Sequence, residues 1–341
     1  MPKNPFSKIA SILLLAAIAF LAYILIPRSY DVLPHEKVAD TQFWDLPTGS
    51  KIGYVRIAAK GSRKASPIIY LHGGPGGVIS TSTISMLTPF AEEGYDVYAY
   101  DQIGSGSSAR LEDIEQYTAA RHQADLEAIV KAIGAERVII IGQSWGSILA
   151  TLFTVDNPNK VDKIIMTGPG PIFPINESLA HVKAPDSLHI QAPVFSNQDG
   201  NREVYTFRWK CVRWAASVWG KKLVPDGQAD GFFTHLNSHL NRSALYDTSL
   251  VKAAHGGGGY YAHIRTMKSL YRIQSPREKM KALRTPVLIL KGQYDNQKWG
   301  FTQEYLTLLS NASMSIIPDA GHFIHVEQPE LYYEKIGAFL Y

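Results

Sequence analysis

The sequence predicts an α/β architecture. It reads as a mostly parallel sheet with helices on both faces, interrupted by one helical insertion and preceded by a helix of membrane-spanning length. Three observations carry this. Short β-branched runs alternate with helical stretches over residues 50–169 and again over 281–341, the rhythm of βαβ units. The alternation fails over 170–280, where no clean βαβ unit is found. Residues 9–26, IASILLLAAIAFLAYILI, are eighteen consecutive residues with one polar member, Ser11, about the length that crosses a bilayer core as a helix. The expected divisions are an anchor at 1–28, the sheet domain in two parts at 29–169 and 281–341, and a helical cap at 170–280.

Composition narrows the function classes. An apolar share of 45% and a charged share of 19% are ordinary for a globular chain. A net charge of +4 with no Lys/Arg run beyond short pairs gives nucleic-acid binding no support. The single cysteine, Cys211, excludes an internal disulfide framework and a multi-cysteine metal site.

At the N-terminal end, Lys3 and Lys8 precede the apolar segment, and Arg28, Asp31 and Glu36 follow it. This basic bias predicts a cytoplasmic N-terminus and residues after 28 on the far side of the membrane. The alternative is a signal peptide cut near Ala17-Ile18-Ala19, giving a secreted protein. The apolar run continues past that point through Ile26, which favours the uncleaved anchor. Residues 38–60 predict a β-hairpin around Leu46-Pro47-Thr48-Gly49-Ser50. A buried strand at 67–71 runs into His72-Gly73-Gly74-Pro75-Gly76-Gly77. No Lys-Ser/Thr follows that loop, and its spacing is wrong for a dinucleotide fingerprint. A helix is expected at 81–92. A strand at 95–100 follows, ending in the polar loop 101–108. The helix at 116–133 places Leu126, Ile129, Val130 and Ile133 on one face and stops at Gly134.

The central stretch is Val138–Ala150, VIIIGQSWGSILA. Four β-branched residues, the turn Gly142-Gln143-Ser144-Trp145-Gly146 and a small-residue helical run make strand, tight turn and helix. The glycines suit a crossing too close for Cβ atoms, and Ser144 stands at the tip of a nucleophile elbow. A strand follows at 161–167. Within 170–280, helical spacing is visible over 202–219 and 231–240. The aromatics Trp209, Trp214, Trp219, Phe232-Phe233 and Tyr260-Tyr261 are expected to divide between the cap's own core and a pocket lining. Strands at 286–291 and 313–317 lead to Asp295 and His322, with helices at 300–310 and 328–340.

A serine hydroxyl needs a base to take its proton, and the base needs an acid to hold its tautomer. On this architecture they follow in the order Ser, Asp, His: Ser144, Asp295 and His322. The oxyanion donors are expected from the N–H groups of Gly74 and Trp145. His72 is read as a brace for its loop and His325 as packing. His235 and His239, spaced i and i+4, have no third ligand in sight, so no metal is expected, and nothing calls for a cofactor.

The chain from about 50 to 341 resembles the α/β-hydrolase superfamily. Within it, HGGPGG at 72–77, DQIGSGSS at 101–108, GQSWGSILA at 142–150, GQYD at 292–295 and GHFIHVEQPE at 321–330 are similar to the proline iminopeptidase branch. The resemblance implies a helical cap and removal of an N-terminal proline. Two departures stand out. Family members usually carry Arg where this chain has Ile103. The cap glutamates that bind the substrate's amine fall, by the resemblance, at Gly220 after Trp214–Trp219 and at Gly257 before Tyr260-Tyr261. An ammonium without those counter-charges is costly to bury; Glu203 and Asp247 are the candidate substitutes. The expected function is a serine hydrolase working through an acyl-enzyme, with proline iminopeptidase-like aminopeptidase activity on a short peptide. A membrane-anchored carboxylesterase or amidase for an apolar acyl substrate is the alternative. A non-catalytic binding protein on the same fold is the reading from another class.

Overall fold

The computed structural model describes residues 5–341, without the side chains of Pro5, Ser7, Asp199 and Glu203. Lys3 and the side chain of Glu203, both named above, lie outside the described residues. Eight strands form one sheet: β1 (Gln42–Asp45), β2 (Lys51–Ile57), β3 (Ile68–Leu71), β4 (Val97–Tyr100), β5 (Val138–Gln143), β6 (Val161–Thr167), β7 (Val287–Gly292) and β8 (Ala312–Ile317). Their spatial order is β1-β2-β4-β3-β5-β6-β7-β8. β1 and β2 make the expected hairpin, closed by Leu46 N–H to the Ser50 carbonyl at 2.9 Å. β2 pairs antiparallel with β4, and every later pairing is parallel.

The order places the site. β3 lies between β4 and β5, so the chain reverses its direction of travel across the sheet there, and ligands bind at such a switch, beyond the carboxyl ends of the strands. The β3–β5 register pairs Leu71 with Gly142. The loop starting at His72 and the turn holding Ser144 therefore leave the sheet side by side.

Strand periodicity divides the core into two layers. Val138 and Ile140 face one side with Leu126, Ile129, Leu149 and Phe153. Ile139 and Ile141 face the other with Leu87, Phe90, Ile336 and Leu340. The helices are α1 (Pro5–Leu25), α2 (Thr81–Glu92), α3 (Ala119–Ile133), α4 (Trp145–Asp156), α5 (Asn197–Val204), α6 (Phe207–Trp214), α7 (Asp226–Leu240), α8 (Tyr260–Leu270), α9 (Arg277–Ala282), α10 (Trp299–Leu308), α11 (Ile324–Glu327) and α12 (Pro329–Leu340). The cap signals hold locally: Thr118 accepts from Arg121 N–H at the start of α3, and Gly134, at φ 72°, ends it.

Among the described residues, the chain between β6 and β7 contains helices and no strand. The helical spacing over 202–219 is divided between two helices. α5 ends at Val204, Thr206 is extended, and α6 starts afresh and widens into a π turn at Ala215–Trp219. The break re-aims the chain so that Trp209 stacks on Phe232, ring centroids 3.7 Å apart, with Tyr260 edge-on to both. Trp209, Phe232, Phe233, Tyr260 and Tyr261 are buried, but Trp214 and Trp219 belong to neither core nor pocket and face outward.

In α1, residues 8–25 have a mean hydropathy of 2.4 and are almost entirely exposed. One such helix near an N-terminus fits an anchor and a signal sequence alike.

Candidate active site

The turn between β5 and α4 is as tight as its composition requires. A Cβ on Gly142 would lie 2.5 Å from the Gly146 carbonyl oxygen, and one on Gly146 would run into the Leu71 carbonyl. Ser144 is held at φ 54°, ψ −114°, a strained backbone for a residue with a side chain; such strain costs about 1–3 kcal/mol and gathers at functional sites. Trp145 is the first residue of α4, so its N–H has no partner within the helix and faces the turn.

Ser144 N–H donates to the Thr167 carbonyl at 2.8 Å, which fixes the turn against the end of β6. The next residue, Gly168 at φ 52°, is the contact to the other half of the site. A Cβ there would sit 2.6 Å from His322 Nδ1 and 3.1 Å from Asp295 Oδ2. His322 Nδ1–H donates to Asp295 Oδ1 at 2.8 Å, because a carboxylate can only accept. That tautomer leaves Nε2 unprotonated, the form a general base needs. The His322 backbone is pinned as well, its N–H bonding the Ala244 carbonyl at 2.7 Å. Asp295 and His322, distant in sequence, thus meet beside Gly168, and the preceding Thr167 carbonyl takes the Ser144 N–H.

Asp295 has a partner that the sequence reading missed. Lys291 Nζ lies 3.3 Å from Asp295 Oδ2 and 2.8 Å from the Gln297 carbonyl, with both charged side chains fully buried. Gln297 N–H also donates to Asp295 Oδ1 at 3.0 Å. Burial pushes the Asp295 carboxyl up, but the Lys291 charge and the His322 hydrogen bond outweigh it and hold the group below the usual carboxylate range. The available signal was a lysine closing an otherwise apolar strand, PVLILK, four residues before the aspartate.

The expected oxyanion loop is held by a second missed residue, Gln102. Its Nε2 donates to the His72 carbonyl at 3.0 Å and its Oε1 accepts from Trp145 Nε1 at 2.7 Å. One amide therefore ties the loop carrying Gly74 to the helix carrying Trp145. His72 Nε2 accepts from Gln102 N–H at 3.0 Å, and Nδ1–H donates to the Gly73 carbonyl at 2.8 Å. Both ring nitrogens are committed, as a brace requires. Burial pushes this imidazole down to about 4, against the Gly73 bond. Asp101 accepts from Ile79 N–H and Ser107 N–H, fixing the neighbouring loop; burial raises its pKa to about 7. From the helical side, Gly259 N–H bonds the Gly76 carbonyl at 2.8 Å and His263 Nδ1–H bonds the Pro75 carbonyl at 3.0 Å.

The other singled-out residues fall elsewhere. A Cβ on Gly220 would lie 2.5 Å from Glu115 Cγ, and one on Gly257 2.5 Å from His35 Nδ1. Neither position points at Ser144. Glu115 is largely exposed and paired with Arg265 at 3.1 Å. Asp247 is exposed and caps the turn at 248–250 through Ser249 N–H. Ile103 is buried in the core. His325 packs edge-on to Phe323 and against Tyr332. His235 and His239 face each other at 4.9 Å, with Tyr30 over His235. Two surface concavities, one around Leu188, His189 and Gln293 and one around His35, Arg110 and Asp230, do not include Ser144.

A sheet switch point, a strained serine at a strand-to-helix turn, and an Asp–His pair beside it define an α/β hydrolase, and the chain belongs to the alpha/beta hydrolase fold family, whose model matches residues 66–329. It is a hydrolase of the peptidase or esterase kind, similar to the proline iminopeptidase branch. A proline iminopeptidase of Heyndrickxia coagulans is 24% identical over 298 residues, 86% of this chain and 96% of that one. The crystal structure of a proline iminopeptidase from Mycobacterium smegmatis superposes with a TM-score of 0.60 at 19% identity, covering 88% of this chain and 97% of the other. A thermophilic esterase from Thermogutta terrifontis superposes as well, with a TM-score of 0.62 at 16% identity over 89% of this chain and 98% of its own.

Proposed function

We propose that this protein is a membrane-anchored serine hydrolase that cleaves an ester or amide with an uncharged acyl group. Ser144 Oγ attacks the carbonyl carbon as His322 Nε2 takes its proton. Asp295 keeps the imidazole in the required tautomer and stabilises its cationic form. The N–H groups of Gly74 and Trp145 hold the oxyanion. His322 then protonates the leaving group, and water, deprotonated by the same nitrogen, hydrolyses the acyl-enzyme. The helical segment 170–280 acts as the cap, and α1 anchors the chain with its N-terminus in the cytoplasm.

The observation that carries the mechanism is the 2.8 Å Asp295–His322 hydrogen bond set against Gly168, beside the residue that Ser144 bonds. The substrate class rests on Gly220 and Gly257, where the family resemblance calls for amine-binding glutamates and the missing side chains would point at Glu115 and His35. The second reading, a proline iminopeptidase-like aminopeptidase, is favoured by similarity to such an enzyme along 86% of the chain.

The test is a rate comparison on the full chain between a short-acyl aryl ester and a proline arylamide, each repeated with Ser144→Ala. Ester turnover is expected to exceed arylamide turnover by at least about 100-fold, and the substitution to remove both activities along with fluorophosphonate labelling. Labelling that survives Ser144→Ala overturns the mechanism. Arylamide turnover that vanishes when the proline nitrogen is acetylated overturns the substrate class in favour of the second reading.

A further inference from the structure

The helical segment carries a surface that the hydrolase reading does not use. From Val204 to Pro225 the chain contains five basic residues, Arg208, Lys210, Arg213, Lys221 and Lys222, and no acidic one. Phe207, Trp214, Val218 and Trp219 in this stretch are 61%, 50%, 52% and 57% exposed. Phe207, Trp214 and Val218 are spaced i, i+7 and i+11, which brings them to one face of the helix. Trp219 packs on Trp214 with ring centroids 4.2 Å apart. Lys210, Arg213 and Lys221 are exposed alongside. A soluble surface seldom exposes two tryptophans and a phenylalanine together, and aromatic and basic residues on one exposed helical face suit a bilayer interface.

The end of α1 lies against this same helix. Arg208, fully buried, donates through Nε to the Ile24 carbonyl at 2.8 Å and reaches the Ile26 carbonyl with its terminal nitrogen. It thus satisfies carbonyls that a helix end leaves without partners. Trp209 Nε1 donates to the Tyr30 hydroxyl at 2.5 Å. Phe20 meets Phe207 edge-on at 6.4 Å. Ile24 is buried, whereas the earlier described residues of α1 are exposed. Arg28 lies over the Tyr23 ring at 5.0 Å, a cation and an aromatic of the kind that marks a membrane boundary. From Phe20 to the helix end at Leu25 is about 7.5 Å along the axis at ~1.5 Å per residue. That places Phe207 at a depth close to the roughly 5–10 Å of an interfacial amphipathic helix.

We propose that the Phe207–Lys221 face seats in the headgroup layer of a bilayer containing anionic phospholipid, as a second membrane contact beside α1. It rests on the reading of α1 as an uncleaved anchor. Phe207, Trp214, Val218 and Trp219 enter the acyl boundary, and Lys210, Arg213 and Lys221 meet lipid phosphates. The cap is thereby held against the membrane on the side opposite the cytoplasm, and the hydrolase site works next to lipid.

The test uses full-length protein reconstituted in vesicles of phosphatidylcholine and phosphatidylglycerol whose acyl chains carry bromine near the headgroup. Lipid quenching of tryptophan emission is compared between the wild type and Trp214→Phe/Trp219→Phe. The quenched fraction is expected to fall at least about two-fold in the double variant, and Lys210→Glu/Arg213→Glu/Lys221→Glu is expected to lower it similarly. Equal quenching in wild type and double variant overturns the proposal, as does quenching of Trp214 and Trp219 by aqueous iodide. Retention in the vesicles after an alkaline carbonate wash reports the anchor separately, and fluorophosphonate labelling reports the hydrolase site. Chain that washes off and shows no lipid quenching also overturns the proposal. Neither tryptophan touches the site residues, so labelling should be unchanged in both variants.

Discussion

The strand-end site and the helical segment between β6 and β7 are held together by different forces. Around Ser144 nearly every important side chain is fixed by a directional hydrogen bond to another loop: Asp295 to His322, Lys291 to Asp295, Gln102 to both His72 and Trp145. In the helical segment the centre is a stack of rings, Trp209, Phe232, Phe233 and Tyr260. Hydrogen bonds demand particular atoms at particular distances. Apolar burial is nearly indifferent to which residues supply the area. A chain can therefore keep its strand-end site while the helical segment changes, and under the proposed function glycine at 220 and 257, where the resemblance calls for glutamates, is that kind of change.

The largest expected effect tests the directional half. Lys291→Met leaves the Asp295 carboxylate buried with its nearest cation gone. Breaking a buried pair from one side typically costs about 3–5 kcal/mol, so the denaturation midpoint should drop accordingly. The carboxylate also loses the charge that holds its pKa down. It should then protonate at higher pH, and the acid limb of kcat/KM should move upward in the folded fraction. An unchanged limb with lowered stability would reduce Lys291 to a structural role.

Next is Gly168→Ala. Its Cβ would press on His322 Nδ1 at 2.6 Å, and φ 52° is strained for alanine. Moving the imidazole by about 1 Å to relieve this contact typically lowers the rate about 100-fold. The loss should appear in kcat far more than in thermal stability. If stability falls and kcat per folded molecule does not, the two halves of the site are less closely coupled than the contact through Gly168 implies.

How much of this was legible follows the same division. The elbow, the hairpin and the strand-end Asp and His could be read because their signals are local: two glycines four residues apart, a Pro-x-Gly turn, an apolar run followed by a polar residue. Lys291 and Gln102 could not be read as partners. A lysine after five apolar residues looks like a strand end in water, and its burial depends on the fold bringing the Gln297 carbonyl over it. The helical spacing over 202–219 was legible, but its division into two helices was not, since the stacking of Trp209 on Phe232 is a tertiary contact. Trp214 and Trp219 were legible as apolar, but their outward direction depends on where α6 lies.

A smaller effect is expected from Gln102→Leu. It removes the acceptor for Trp145 Nε1 and the donor to the His72 carbonyl, leaving buried polar groups without partners at about 1–3 kcal/mol. If Gln102 also sets the spacing between the two proposed oxyanion donors, Gly74 and Trp145, kcat should fall about 10- to 100-fold with KM little changed. Rescue by glutamate is not expected, because a carboxylate supplies the acceptor but no donor.

The mildest test asks whether the helical segment supports the proposed oxyanion loop, 72–77, as firmly as the sheet does. His72 holds it at Gly73 and His263 at Pro75, and burial pushes both imidazoles down to about 4. An unfolded histidine takes its proton near 6.5. Between these values the unfolded chain binds more protons than the folded one, so stability rises with pH through this window. It is complete above about 6.5 and is lost as the pH falls toward 4, by up to about 1.4 kcal/mol per pH unit for each group. His122, at about 3, adds in the same sense. Asp101 and Asp230 act oppositely, because burial raises them to about 7 and about 6 and their ionisation lowers stability as pH rises. Urea midpoints measured from pH 4 to 6.5 should therefore rise with pH, less steeply in His72→Gln and in His263→Gln than in the wild type. Equal reductions would mean that helix and sheet grip the loop alike. A flatter slope in His72→Gln only would mean that the helical segment lets go of the loop in solution.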